Sequence, residues 1–205
     1  MRLGQRALTL ATLLLILLLA ACGKPPQIAP LPADAVVLAF GDSLTHGNGA
    51  PQGQGYPEVL AGLLGRTVIN AGVPGEVSAA GLMRLPQLLE QHRPQLVILC
   101  HGGNDFLQKL DRTQAAANLA AMVAQIRATG ADVVLVGVPE FGLVLKPPKF
   151  YPEIAERFGI PYEGDIVSDL LGDRDFKSDT IHPNAAGYRR MAEALFKLIR
   201  DAHGI

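Results

Sequence analysis

Short apolar runs alternate with longer stretches of helical spacing along most of this chain. The runs lie at 35–40, 67–70, 95–100 and 132–138 and are rich in β-branched or aliphatic residues. Helix-like stretches fall between them at 56–64, 76–92 and 114–129, and two more are expected at 149–158 and 184–202. Strand, helix, strand repetition predicts an α/β fold with a mostly parallel central sheet covered on both faces. Thr113 is the expected N-cap of the 114–129 helix, with Gly130 as its stop. Pro183 is expected at the first position of the last helix. Ligands of such sheets bind beyond the carboxyl ends of the strands. Ser43, the 71–75 turn and Asn104 each follow such an end, so they are expected to meet on one edge.

The chain opens differently. Arg2 and Arg6 precede an almost unbroken apolar run from Ala7 to Leu18, the pattern of a secretory signal over residues 1–21. Leu19-Ala20-Ala21-Cys22 resembles a bacterial lipobox, in which the cysteine is lipidated and becomes the new N-terminus. Cleavage with an unmodified Cys22, or an uncleaved anchor, are the alternatives. Residues 22–34 hold four prolines and read as an extended tether, which leaves one domain at 35–205.

Charge and cysteines narrow the classes. Removing residues 1–21 leaves 16 Lys and Arg against 19 Asp and Glu. No basic stripe with interleaved aromatics occurs, which argues against a nucleic-acid partner. Cys100 lies inside an apolar run and reads as a small buried hydrophobe, so no intrachain disulfide is expected.

Three polar clusters carry the candidate chemistry. Gly41-Asp42-Ser43-Leu44 puts a serine just past the first apolar run, where a nucleophile stands clear of a sheet; read alone, Ser43 is a turn or capping residue. Asp179-Thr180-Ile181-His182 sets a carboxylate three residues before an imidazole, close enough to hold Nδ1 and leave Nε2 for a serine. A solvated loop with a helix-capping histidine is its bland rival. A zinc pair is the other, but no further ligand at sensible spacing accompanies it. Gly102-Gly103-Asn104-Asp105 offers the Asn104 amide as an oxyanion donor, and Gly75 offers a backbone N–H at a helix start; each is also ordinary turn chemistry. Together they supply a nucleophile, a base, an orienting carboxylate and oxyanion donors, the set that acyl transfer needs.

These clusters resemble those of the SGNH (GDSL-type) hydrolases, in the branch of bacterial periplasmic thioesterase/lysophospholipase and arylesterase enzymes. The likeness rests on Gly41-Asp-Ser-Leu44, Val68-Ile-Asn-Ala71 running to Gly75, Gly81-Leu-Met-Arg-Leu-Pro86, Gly102-Gly-Asn-Asp105 and Asp179-Thr-Ile-His-Pro183, over about residues 35–200. It implies a flavodoxin-like three-layer α/β/α fold without a cofactor. It implies Ser43 as nucleophile, His182 as general base and acid, and Asp179 as its orienter. The implied oxyanion hole is the Ser43 N–H, the Gly75 N–H and the Asn104 amide, with Gly72 the rival for the glycine.

Phe106 and Leu107, with Phe141 after the fourth run, are expected to line an acyl pocket. His101 and Cys100 stand where apolar or acidic residues are expected, and the Lys146–Lys149 stretch departs from the pattern. His46 is read as a surface residue, with a cleft wall as its alternative. Asp42 and Asp105 are read as anchors of their turns. The resulting expectation is a monomeric serine esterase or thioesterase, lysophospholipase-like, lipid-anchored in a bacterial envelope and facing the periplasm from the outer membrane. An O-acetyl esterase of surface polysaccharide is one rival, and a non-catalytic envelope binding lipoprotein is the other. The Gly-x-Ser-x-Gly elbow of α/β-hydrolases is absent, and no P-loop is present.

Overall fold

A computed structural model describes residues 26–140, 142 and 144–205; Cys22, the signal segment and Phe141 lie outside the described residues. Five parallel strands form one sheet in the order β2-β1-β3-β4-β5. They are β1 (Val36–Gly41), β2 (Thr67–Gly72), β3 (Leu96–Cys100), β4 (Asp132–Val136) and β5 (Tyr162–Glu163). The helices are α1 (Ser43–His46), α2 (Tyr56–Leu64), α3 (Ser78–His92), α4 (Gly103–Leu107), α5 (Arg112–Ala128), α6 (Phe150–Phe158), α7 (Ile166–Gly172) and α8 (Ala185–Asp201). Two helical pairs flank the sheet, α3 with α5 and α2 with α8. This is the expected three-layer α/β/α architecture.

Burial explains the apolar runs. Strand β1 lies between β2 and β3, and Val37, Leu38, Ala39 and Phe40 have no exposed surface. A strand covered on both faces has no solvent side to carry polar residues, so its sequence does not alternate. The chain places β2 on one side of β1 and β3 on the other. That reversal opens a crevice beyond the carboxyl ends of β1 and β3, the place where such sheets take ligands.

Local chemistry sets the helix ends. Helix α2 has proline in its first turn and stops at Gly65 in the left-handed region. Helix α5 begins earlier than expected. Asp111, not Thr113, is its cap, accepting from the N–H groups of Thr113 (2.7 Å) and Gln114 (3.2 Å). Helix α8 is capped by Asn184, whose side chain accepts from Gly187 N–H at 3.0 Å. Pro183 therefore lies outside that helix rather than at its first position.

The proline-rich stretch is extended, but much of it is docked. Ile28 and Leu31 are buried. Their N–H groups donate to the carbonyls of Ala202 (2.9 Å) and Gly204 (2.8 Å), and Ala29 N–H donates to Asp132 Oδ2 at 2.7 Å. Leu31 O accepts from Arg66 at 3.1 Å. Proline content signals an extended backbone, but the two aliphatic residues between the prolines decide what that backbone lies on. Protein beginning at residue 33 should be less stable than protein beginning at residue 26 by about 2–5 kcal/mol, from two lost aliphatic anchors. Urea unfolding of the two forms measures this, and equal midpoints would count against the docking.

Candidate active site

Strand β1 enters the site through Gly41. A Cβ there would lie 2.1 Å from the Cys100 carbonyl oxygen and 2.3 Å from Thr45 Oγ1, so only glycine allows this crossing. The next residue, Asp42, is buried, and its Oδ1 accepts from Leu44 N–H at 3.1 Å. Burial pushes the Asp42 carboxyl up, against the opposing pull of His101 and the Leu44 amide. By capping α1, Asp42 fixes Ser43 at the first helical position, with its side chain at the surface of the crevice. The Ser43 N–H donates to no described residue.

The other half of the site comes from the loop before α8. Asp179 Oδ1 accepts from the N–H groups of Ile181 and His182, both at 2.8 Å, and Asp179 Oδ2 lies 2.8 Å from His182 Nδ1. Burial alone would raise the Asp179 carboxyl; the bonds from His182 and the two amides outweigh it and hold the carboxyl below its usual range. A carboxylate only accepts, so the ring hydrogen sits on Nδ1. Nε2 is then an acceptor, and Ser43 Oγ–H donates to it across 3.0 Å. Residues 139 positions apart thus form one chain, from carboxylate through imidazole to hydroxyl.

Asn104 and Asp105 tie the β3 exit to the β2 exit. Asn104 Nδ2 donates to Asp42 Oδ2 (3.2 Å) and to the Glu76 carbonyl (3.0 Å). Buried Asp105 accepts from Ser78 N–H (2.8 Å) and Ser78 Oγ–H (2.6 Å), which caps α3 from outside its own segment. The Ser78 hydroxyl in turn accepts from Asn118 at 2.9 Å. Asp42 and Asp105 hold their turns as expected.

A second network lies beneath, and it was not legible in the sequence. Glu76 takes two bonds from Arg84, at 2.8 and 2.7 Å, and one from the fully buried His101 at 3.1 Å. Gly102 N–H donates to His101 Nδ1 at 2.9 Å, so Nε2 carries the ring hydrogen and donates to Glu76. Arg84 also donates to Ala71 O at 3.0 Å and stacks on the Phe40 ring at 4.4 Å. Tyr151 Oη–H holds the His101 carbonyl at 2.7 Å. Burial would raise the Glu76 carboxyl, but the bonds from His101 and Arg84 pull it down to about 2. His101 was visible only as an unusual residue before two glycines. Glu76 and Arg84 stand eight residues apart, a spacing that carries no chemical signal of its own.

Two depressions adjoin the Ser43–His182 pair, one walled by His182 and the other by Ser43. One is a polar cleft of about 770 Å³ between the 46–55 loop and His182, with Asp179, Glu58 and Asn70 on its walls. The other is a small hollow of about 20 Å³ lined by Ser43, Asn104, Leu107, Val138, Pro139 and Ile181. Leu107, expected to line an acyl pocket, lines this hollow. Phe106 does not line it and is buried against the Phe150 ring, 6.1 Å away. Neighbouring residues on a helix point about 100° apart, so only one of this pair faces the hollow. Gly75 is on the exposed turn before α3 and lines neither depression, and its N–H donates to no described residue. Gly72 N–H, by contrast, is occupied by Asn70 Oδ1 at 3.0 Å. His46 is exposed and lines the polar cleft, while the Lys146–Lys149 stretch lines neither depression. Cys100 is a buried free thiol whose burial raises its pKa well above the usual thiol range.

The sequence model of the GDSL-like Lipase/Acylhydrolase family matches residues 39–190. The chain belongs to that family. Among relatives of this GDSL-like chain, "Esterase TesA" of Pseudomonas aeruginosa is 30% identical over 203 residues, covering 90% of this chain and 97% of the relative. "Arylesterase" of Vibrio mimicus is 33% identical over 172 residues, covering 78% and 86%. The crystal structure of the psychrotrophic esterase EstA from Pseudoalteromonas sp., inhibited by monoethylphosphonate, superposes with a TM-score of 0.72 at 25% identity. It covers 82% of this GDSL-like chain and 98% of its own.

The Glu76 carboxyl is held low in the folded state, so its contribution to stability is complete above the unfolded value near 4.3. That contribution falls away as pH drops from there to about 2. Glu76→Gln should therefore lose stability at pH 6 and show a shallower fall between pH 5 and pH 3 than the parent. Urea midpoints at those three pH values measure the difference.

Proposed function

We propose that this chain is a serine esterase acting on carboxylic esters or thioesters through an acyl-enzyme. The observation that carries the reading is the 3.0 Å contact of Ser43 Oγ with His182 Nε2, backed by the 2.8 Å contact of His182 Nδ1 with Asp179. Ser43 Oγ attacks the carbonyl carbon while its proton passes to His182 Nε2. The new C–O bond forms as the carbonyl becomes an oxyanion. On collapse, the bond to the leaving oxygen or sulfur breaks and that atom takes the proton from His182. Water repeats the sequence: it gives His182 a proton, attacks the acyl carbon, and Ser43 Oγ regains its hydrogen as the acid departs.

Asp179 keeps the ring in the tautomer that accepts from serine and offsets the imidazolium formed on attack. The Ser43 N–H and the Asn104 amide are the oxyanion donors in this reading, with the Gly75 N–H as a third. Both Asn104 hydrogens are engaged in the resting site, by Asp42 and by the Glu76 carbonyl. One of those bonds is exchanged for the oxyanion during attack. Leu107 borders the acyl side. The relatives named esterase and arylesterase agree with this chemistry.

The reading extends to location. Among the described residues no helix is long and apolar enough to cross a membrane. Residues 1–21 act as the secretory signal, and Cys22 carries the lipid that holds the domain at the bacterial envelope, facing the periplasm from the outer membrane. Residues 22–27 link that lipid to the docked segment.

Ser43→Ala should lower kcat on p-nitrophenyl butyrate by about 10⁴-fold or more, and Asn104→Ala by about 10²–10³-fold with KM little changed. Retained turnover in Ser43→Ala would falsify the serine mechanism. For the anchor, Cys22→Ser in the full chain should abolish labelled palmitate incorporation and move the protein from membranes to the soluble fraction. Label retained in that variant excludes Cys22 as the acceptor.

A further inference from the structure

The depression walled by His182 and the one walled by Ser43 differ in size and in chemistry, and the reaction says which part of the substrate goes where. In acyl transfer the leaving atom is protonated by the base, so it must sit against His182 Nε2. His182 and Asp179 form a wall of the large polar cleft, whereas Ser43 and Asn104 border the small hollow. On the reading of Ser43 as nucleophile, the leaving alcohol therefore extends into the cleft and the acyl group lies over the hollow.

The polar groups of the cleft are matched to a particular kind of alcohol. Asn70 is spent internally: its Nδ2 donates to Glu58 Oε1 at 2.9 Å, and its Oδ1 accepts from Gly72 N–H. Asn48 Oδ1 is taken by His46 Nδ1 at 2.9 Å. The Asn48 NH₂, the whole Gln52 amide, Glu58 Oε2 and His46 Nε2 have no partner among the described residues. These are donors and acceptors intermixed within one cleft, the complement of hydroxyl groups that both donate and accept.

Charge narrows the choice further. The cleft lining holds two carboxylates, Glu58 and Asp179, and no lysine or arginine. A phosphate there would meet like charge and find no lysine or arginine to pair with. The loop is also held in place. Asn48 N–H donates to Ser43 O at 3.1 Å, Ala50 N–H to Gly47 O at 3.2 Å, and Tyr188 Oη–H from α8 to Asn48 O at 2.7 Å. The polar groups are thus presented on a fixed wall beside the base.

We propose that the cleft between the 46–55 loop and His182 is the leaving-group site, and that it selects an uncharged, hydroxylated alcohol of the polyol or saccharide class over a phosphorylated one. The inference rests on the serine esterase reading and adds the class of alcohol to it. It makes Gln52, Asn48 and Glu58 specificity-determining residues.

The test uses two esters with one acyl group, 1-butyrylglycerol and 1-butyrylglycerol 3-phosphate, with p-nitrophenyl butyrate as a third. The parent should favour the neutral glycerol ester over its phosphate by at least tenfold in kcat/KM. Gln52→Lys and Glu58→Lys each place a cation in the cleft, and each should shift that ratio at least tenfold toward the phosphorylated ester. Because the ratio is read within one protein, a loss of folded enzyme cancels. Gln52 is exposed and without hydrogen bonds to the described residues, so its variant stands if Glu58→Lys does not fold. A parent that treats the two glycerol esters alike, or prefers the phosphate, overturns the proposal, and so does an unmoved ratio in Gln52→Lys. Turnover of p-nitrophenyl butyrate with neither glycerol ester cleaved overturns the alcohol class and leaves the serine esterase standing. Folded parent that cleaves none of the three esters removes the esterase reading itself.

Discussion

The Glu76 carboxylate draws three chain segments together at the carboxyl edge of the sheet. Arg84 reaches it from α3, His101 from the end of β3, and its own residue follows the turn after β2. A charge this enclosed is costly unless every hydrogen-bonding position is used, and here Arg84 and His101 use them. The same arginine lies over Phe40 and donates to Ala71 O, so β1 and β2 are held by it as well. With the Glu76 backbone fixed, its carbonyl can hold the Asn104 amide, and Asn104 then reaches Asp42. The residue beside Ser43 is thus connected to α3 by a continuous run of hydrogen bonds.

That arrangement separates rigidity from reactivity. Asp42, Asp105, His101 and Ser78 are buried and spend their polar atoms on the frame. Ser43, Asp179 and His182 are more exposed, and their contacts point along one line toward the crevice. Asp179 and His182 come from a loop without regular structure, yet two backbone amides bind the same carboxylate oxygen and give that loop a fixed turn. His182 is therefore positioned by short-range geometry, and Asn104 by long-range geometry.

The parts legible in the sequence were those with local causes. Strand β1 was visible because a strand buried on both faces must be apolar throughout, and α2 because its residues follow helical spacing. The Asp179–His182 pair was visible because three residues of separation are enough for contact. What escaped notice depends on distant partners. Strand β5 is two residues long and is defined by its pairing with β4 rather than by its own pattern. Helices α1 and α4 are single turns shaped by the site. Phe106 and Leu107 are equally apolar in sequence, and only the helix they share decides which one faces inward. The burial of Ile28 and Leu31 was hidden because prolines dominate the composition around them.

That docked segment also settles a direction. Asp132 and Gln95, which hold Ala29 and Val36, stand at the amino ends of β4 and β3, whereas Ser43 follows the carboxyl end of β1. The chain therefore joins the domain on the side of the sheet opposite the crevice. Only residues 23–27 separate Cys22 from buried Ile28, a reach of roughly 20 Å at full extension. A lipid at Cys22 would hold the domain close to the bilayer by its base. The mouth of the crevice would then open toward the aqueous compartment, to substrates arriving from solution rather than from the leaflet that holds the anchor.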